Sequence, residues 1–361
     1  MAEANIRPRR RLDPTVGKAR TLVGGLLGLS TTGKHHPVDN PPLVLVGCSG
    51  GPDSLALAAV AAFFATRGEV RVGAVVVDHQ MQPGSADVAG RTAETLRGLG
   101  LDPVQVRTVD VEHDGGGPEA AARAARFTAL DAAARELGAE TVLLGHTLDD
   151  QAESVLLGLA RGSGTRSLAG MRERRGLYAR PFLKLRRDET LAICNALGLE
   201  PWHDPANSDP AYLRVRVRHT VLPFLAAELG PGVTESLART AGILGHDADF
   251  LDALAGDEFA RIAQLAPAGA DWPEEVSLAE DALRELAPAL RMRVLARAVV
   301  ALGGYQPSQE RLGAAEALLA RRGSAGPVQM AGKVSAWRLS RSAAVPHEGH
   351  GYGKLVFRRS R

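Results

Sequence analysis

Cysteine is nearly absent from this chain: only Cys48 and Cys194 occur in 361 residues. Without a C-x-x-C pair there is no disulfide framework and no thiolate set for zinc or an iron–sulfur cluster, and such sparing use points to a reducing cytoplasm. Aromatic residues are also scarce, at 4%. No apolar run reaches the roughly 20 residues that a membrane-spanning helix needs. Arg7, Arg9, Arg10 and Arg11 precede an apolar stretch at 21–29, which faintly imitates a signal peptide. That stretch is short, broken by glycines and separated from the arginines by Asp13 and Lys18, so an amphipathic helix from about Pro14 is expected instead. The formal net charge is only +2, so any partner of one charge must be recognised by local clustering. No Gly-Lys pair is followed by Ser or Thr, which excludes a P-loop.

The stretch Val44-Leu-Val-Gly-Cys-Ser49-Gly-Gly-Pro-Asp-Ser54-Leu is what the chain does have. Its Val/Leu run reads as a buried parallel strand. Ser-Gly-Gly then forms a turn that needs glycine's conformational range, and Pro52, Asp53 and Ser54 suit the first turn of a helix. Strand, glycine turn and helix N-terminus together aim N–H groups and a positive dipole end at one point, an anion site suited to phosphate. Two other readings compete. One is a tight turn without a ligand. The other is a nucleophile elbow, since Gly47-Cys48-Ser49-Gly50-Gly51 fits G-x-S-x-G. The elbow requires strands and an oxyanion loop upstream, where little strand pattern exists, and it leaves Asp53 unexplained. A carboxylate beside phosphates repels them unless a divalent cation bridges the two, so Asp53 argues for magnesium and a nucleotide.

Downstream, strands expected over 70–78, 104–111 and 141–146 alternate with helices over 86–99, 119–137 and 149–159. This alternation predicts an α/β fold with a doubly wound parallel sheet and right-handed crossovers. Ligands in such sheets bind at the carboxyl ends of the strands, where Ser49, Asp78 and His146 all fall. Beyond Gly230-Pro-Gly232 the pattern becomes long Ala/Leu/Arg helices over 233–265, 277–302 and 307–321, ending in two short strands around 328–339 and 354–358. Three segments follow: a basic N-terminal extension over 1–38, a catalytic domain over 39–230, and a mainly helical accessory domain over 231–361.

A second cluster is His146-Thr-Leu-Asp149-Asp150-Gln-Ala-Glu153-Ser154. Thr147 can cap a helix with Asp150 near its third position, a purely structural use. Asp149 and Glu153 are like charges at i,i+4, which cost a helix a few tenths of a kcal/mol unless a cation lies nearby. Arg123 and Arg126 share one helix face three residues apart, and Glu119–Arg123 alone could be a surface ion pair. Nine Lys or Arg stand between Arg161 and Arg187. With Arg214, Arg216 and Arg218 they predict a basic end of the domain and a phosphate-rich partner, RNA.

Ser49-Gly-Gly-Pro-Asp-Ser54 resembles the S-G-G-x-[DS]-S loop of the N-type ATP pyrophosphatases, or PP-loop enzymes, with their adenine nucleotide alpha hydrolase-like fold. The cluster after His146 is similar to H-x-x-D-D-x-x-E-[TS] of the tRNA(Ile)-lysidine synthetases. Glu119-Ala-Ala-Ala-Arg123-Ala-Ala-Arg126-Phe127 resembles their E-x-x-A-R-x-x-R-[YF] helix, and Arg161-Gly-Ser-Gly164 their next signature. Asp204-Pro-Ala-Asn207-Ser-Asp209, Tyr212-Leu-Arg214-Val-Arg216-Val-Arg218 and Leu222-Pro-Phe-Leu225 resemble the closing motifs. Val215 stands where Asn is usual, Ala206 where Ser or Thr is usual, and His79-Gln-Met-Gln82 where H-G-L-R is common.

The resemblance implies a ligase that adenylates the wobble cytidine of tRNA(Ile) with anticodon CAU at O2, releasing pyrophosphate. Free L-lysine then displaces AMP through its ε-amine. It implies ATP contacts from Ser49, Gly50, Gly51, Pro52, Asp53, Ser54, Asp78 and His146, and magnesium at Asp53 and Asp150. Chemistry is expected of Asp53, Asp149, Asp150, Arg123 and Arg214, and contacts to lysine or tRNA of Glu153, Arg126, Arg161 and Arg218. The accessory domain weakly resembles a tRNA-gripping domain. The alternatives are a tRNA sulfur-insertion enzyme, which lacks paired thiolates here, and a nucleotide-dependent RNA-binding module, which has no need of Asp53, Asp149 and Asp150 together.

Overall fold

The computed structural model describes residues 12–32, 37–80, 82, 84–110, 118–266, 272–340 and 353–359. The N-terminal arginines, the glycines at 115–117 and the side chain of Glu119 lie outside them. Two compact units are present, Met1–Gly245 and His246–Arg361.

The first unit is built on a sheet of order β3-β2-β1-β4-β6-β5. Its strands are β1 (Leu43–Gly47), β2 (Arg71–Asp78), β3 (Val104–Thr108), β4 (Thr141–Leu144), β5 (Arg174–Arg175) and β6 (Tyr178–Ala179). The first four and β6 run parallel, and only the two-residue β5 is antiparallel. β1 and β4 are apolar and buried along nearly their whole length because helices cover both sheet faces. The expected alternation is therefore the observed one. Helices α2 (Pro52–Ala65), α3 (Ser85–Gly98), α4 (Pro118–Leu137) and α5 (Leu148–Ala160) fall within a residue or two of their predicted bounds.

The helix expected from Pro14 is α1 (Pro14–Leu27), with Asp13 capping its start through Thr15 N–H at 2.8 Å. Its Val16, Ala19 and Val23 are buried in the same core as α2 and the β1–β2 strands. Beyond α5 come a short α6 (Thr165–Leu168) and α7 (Arg187–Leu197), and α7 lies against α2. None of the described helices is long and apolar enough to cross a membrane.

The second unit is mainly helical, as expected, and carries more strand than expected. It contains a five-stranded sheet of order β7-β8-β11-β10-β9. Its strands are β7 (Ala263–Leu265), β8 (Glu275–Ala279), β9 (Ala325–Gln329), β10 (Val334–Leu339) and β11 (Lys354–Arg359), every neighbouring pair antiparallel. The two predicted C-terminal strands pair with each other, but three more join them. The single helix expected over 277–302 is a strand followed by helices Glu280–Glu285 and Pro288–Ala301. Pro288 starts a new helix where it lacks only an N–H that would have had no partner. The units divide within the long helix Val233–Ile262, and the Gly230-Pro-Gly232 break ends the helix before it.

Candidate active site

The loop between β1 and α2 makes the turn that its glycines require. Gly50 has φ +82°, and a Cβ there would stand 2.5 Å from Thr92 Oγ1 on α3. Pro52 opens α2, and Gly51 at its N-cap provides no side-chain acceptor, leaving the first-turn donors to a ligand. Ser54 Oγ accepts from Ser49 N–H at 3.2 Å and donates to Gly51 O at 3.1 Å, which braces the loop. Ser49 Oγ lies 3.3 Å from Ser54 Oγ, and no imidazole is bonded to it as a nucleophile elbow demands. The loop β4–α5 approaches equally closely: a Cβ on Gly145 would lie 2.8 Å from the Asp53 carbonyl oxygen. Gly50→Ala is expected to combine backbone strain with a clash against Thr92. ATP-dependent turnover should fall about 10- to 100-fold, with a melting temperature lowered by a few degrees, read by steady-state kinetics and thermal unfolding.

The acids after His146 do not face open solvent. Thr147 and Asp150 form the expected capping box: Asp150 Oδ2 accepts from Thr147 N–H at 2.8 Å and its hydroxyl at 3.0 Å. Asp150 Oδ1 accepts from Arg187 at 2.8 Å and from Arg218 at 3.4 Å. Burial opposes ionisation of Asp150, yet Arg187 and the Thr147 cap outweigh it and hold the carboxyl below its usual range. Glu153 is fully buried, and it accepts from Arg214 Nε at 2.9 Å, Arg218 Nε at 2.7 Å and Arg187 at 3.4 Å. Asp149 accepts the backbone N–H of Arg187 at 2.8 Å and faces Arg186 at 3.4 Å. The cation that the Asp149–Glu153 repulsion calls for is therefore supplied by the protein's own arginines.

Arg187 joins these acids to the phosphate loop, with its Nε 3.7 Å from Asp53 Oδ2. The sequence reading missed it by counting it among RNA-facing cations. A signal was available, because Arg186 and Arg187 begin α7, where the helix dipole disfavours positive charge. Cations at that position need acidic partners close by.

Asp53 lies in the first turn of α2, where the Thr190 hydroxyl donates to its Oδ1. Burial pushes its carboxyl up to about 6, against the opposing pull of Thr190 and Arg187. His146 is pulled down to about 3 by burial, despite Asp150 beside it, so the imidazole is neutral. Its Nδ1 is buried without a hydrogen-bond partner among the described residues. Asp78, at the end of β2, is buried and accepts from Gln80 N–H at 2.9 Å.

Two cavities meet here. One, of about 460 Å³, lies over Ser49, Gly51, Pro52, Asp53 and Ser54, with Trp202, Asp204 and Asn207 on its far side. The second, of about 360 Å³, is bounded by Arg123, Tyr212, Arg214 and Val215. His79, Arg126, His146, Asp150, Asn207 and Arg218 line both. The wall 202–208 is tied down by Trp202 N–H to Gly50 O at 2.9 Å and by Gln82 Nε2 to Asp204 Oδ1 at 2.9 Å. Of the sequence-chosen residues, Asp53, Arg123, Arg126, His146, Asp150, Arg214 and Arg218 line these spaces. Gly50, Asp78, Asp149, Glu153 and Arg161 do not, and Arg161 is exposed beyond the end of α5. Nor is the run from Arg161 to Arg187 one solvated basic face: Lys184 pairs with Glu173, Arg186 with Glu235, and Arg180 is buried.

A magnesium ion suits Asp53 better than Asp150. The expected site at Asp150 is not available as it stands, because protein donors occupy both of its oxygens. Asp53 presents one carboxylate to the phosphate-loop cavity. Magnesium takes one or two carboxylates and completes its shell with substrate phosphates and water. Among the described residues no three His, Cys, Asp or Glu groups converge as a metal site.

Sheet order, phosphate loop and cavity together define a protein of the PP-loop class, and the family model described as the PP-loop domain matches residues 31–225. The chain is 53% identical to the tRNA(Ile)-lysidine synthase of Leifsonia xyli over 299 residues, spanning 83% of this chain and 88% of that one. It is 52% identical to the tRNA(Ile)-lysidine synthase of Thermobifida fusca over 261 residues, spanning 72% and 78%. The chain belongs to the tRNA(Ile)-lysidine synthase family. Among solved structures, a U34-tRNA thiolase of Methanococcus maripaludis with its [4Fe-4S] cluster superposes with a TM-score of 0.52 at 19% identity. That match covers 64% of this chain and 80% of the thiolase, and the likeness is one of fold.

Proposed function

We propose that this chain ligates free L-lysine to C2 of the wobble cytidine in tRNA(Ile) bearing the anticodon CAU, at the expense of ATP. The observation that carries the reading is the continuity of the phosphate-loop cavity with a second, arginine-lined cavity through His146, Asp150, Arg126 and Arg218. ATP takes the first, with its phosphates on the first-turn donors of α2. Asp53 would hold a magnesium ion, which when bound would supply neutralisation of the phosphate charge. The cytidine O2 attacks the α-phosphate from the second cavity, and pyrophosphate leaves. Arg123, with Arg214 oriented by Glu153, stabilises the charge that develops on the α-phosphate.

In the second step the lysine amine replaces AMP. Asp149 retains 15% side-chain exposure and Glu153 none, and the oxygens of Asp150 are taken by Thr147, Arg187 and Arg218, so of the three Asp149 is the carboxylate left to meet the lysine ammonium, and Glu153 acts by positioning arginines. Neutral His146 offers a hydrogen bond and stores no proton. The test is release of AMP and pyrophosphate from ATP with tRNA and lysine both present. Multiple-turnover release of AMP that requires both tRNA and lysine supports ligation; none under that condition contradicts it.

The buried thiols speak against sulfur insertion. Burial raises Cys48, and Cys194 is pushed up to about 11, the reverse of what a nucleophilic thiolate needs. A Cys48→Ala, Cys194→Ala double variant is expected to keep tRNA-dependent AMP release within about threefold, apart from any small loss of stability. A loss of two orders of magnitude in a folded variant would return sulfur chemistry to consideration.

A further inference from the structure

Helix α7 grips the start of α2 with two side chains from one of its faces. Thr190 and Cys194 stand four residues apart on α7 and so share that face. The Thr190 hydroxyl donates to Asp53 Oδ1, and the Cys194 thiol donates to the Pro52 carbonyl oxygen at 3.4 Å. Both acceptors belong to the first turn of α2, directly after the phosphate loop. α7 is itself held in place. Asp149 accepts the Arg187 N–H at 2.8 Å. Glu189 accepts the Arg186 N–H at 2.8 Å and pairs through its other oxygen with Lys18 of α1 at 2.6 Å. Ile193 and Cys194 are buried in the core that α1 and α2 share.

Thr190 is fully buried. A valine of the same shape would fill that position without the cost of taking a hydroxyl out of water. The hydroxyl oxygen has two acceptors in reach, Asp53 Oδ1 and the Arg187 carbonyl oxygen at 2.8 Å, and it carries one proton. The Arg187 carbonyl opens α7, where the N–H four residues on already serves it. The carboxylate is therefore the acceptor in need, and its charge makes that bond the stronger of the two. Among the described residues it is also the only hydrogen bond to the Asp53 carboxyl group, because Arg187 Nε at 3.7 Å lies beyond hydrogen-bond reach. The aim of Asp53 thus depends on Thr190.

We propose that Thr190 is a positioning residue for Asp53: its hydroxyl holds one carboxylate oxygen and leaves the other for the ion that accompanies ATP. The assignment rests on the magnesium role proposed above for Asp53 and adds the group that orients it. Magnesium tolerates little departure from its preferred geometry and takes only one or two carboxylates, so a single misdirected carboxylate weakens its site.

The test is binding of manganese, as a probe for magnesium, to the full-length protein in slight excess over a non-hydrolysable ATP analogue, read from loss of the free ion's paramagnetic resonance signal. Thr190→Val keeps the shape and removes the donor, and it should weaken manganese binding about 10- to 100-fold. Thr190→Ser restores the donor and should lie within about threefold of wild type. Affinity for the analogue without a divalent ion should stay within about twofold in both. Manganese affinity in Thr190→Val within about threefold of wild type would overturn the proposal. So would a Thr190→Ser variant as weak as Thr190→Val, since packing of the methyl group would then be what matters. Should Thr190→Val not fold, the Thr190→Ser and Thr190→Ala pair, which differs in the hydroxyl alone, gives the same reading. Asp53→Asn separates the parent assignment. A loss there with none in Thr190→Val overturns the role of Thr190 alone, whereas unchanged manganese affinity in Asp53→Asn counts against the magnesium role and this one with it.

Discussion

Asp53→Asn should abolish ATP–pyrophosphate exchange, with a loss of at least about a thousandfold in kcat, several kcal/mol of transition-state stabilisation. The substitution keeps the shape and the possibility of bonding to Thr190, but removes the charge that opposes magnesium. The arrangement argues against a structural explanation of such a loss. Asp53 already carries the cost of burial, its carboxyl is pushed up to about 6 for that reason, and among the described residues its only salt-bridge partner, Arg187, stands at 3.7 Å. Neutralising it should therefore cost little stability, and thermal unfolding should shift by no more than a few degrees. Exchange retained within tenfold would remove Asp53 from the metal role and return the loop to a simple phosphate cradle.

Glu153→Ala should act in the opposite way, principally on stability. Its carboxylate is fully buried and faces Arg187, Arg214 and Arg218 together. Removing one partner of a buried ion cluster typically costs about 3–5 kcal/mol, because the remaining charges are left without compensation. For a unit of this size that corresponds to a fall in melting temperature of roughly 6–20 °C. Glu153→Gln should lose much of the same stability, since an amide satisfies the geometry but not the charge. The lysine KM should move less than kcat, because the arginines on the α-phosphate lose their orientation. An unchanged melting temperature with a large rise in lysine KM would show that Glu153 contacts lysine directly.

The catalytic unit was largely legible in the sequence because its signals are local. Continuous Val/Leu strands, Pro52 at a helix start, the Thr147–Asp150 capping box and the alternation of element types each act over a few residues. The phosphate loop was legible for the same reason, since its glycines and helix start are contiguous. What escaped was long-range pairing. Arg187 reaches Glu153 across 34 positions and Asp150 across 37, and no local pattern encodes that contact. Charge counting consequently assigned to RNA several arginines that serve to neutralise buried acids. Three strands of the second unit escaped for a different reason. Strands such as Ala263–Leu265 and Ala325–Gln329 are three to five residues long and contain alanine and glycine, so their pairing comes from the sheet as a whole and leaves little trace in periodicity.

These assignments converge on one chemical event at the wobble position. The most direct test is mass analysis of that nucleotide after incubation of the protein with tRNA(Ile), ATP and isotopically labelled lysine. The account predicts a cytidine that has gained one labelled lysine less one water, dependent on ATP and absent from the Asp53→Asn reaction. An unmodified cytidine, or a product in which sulfur replaces oxygen, would contradict it.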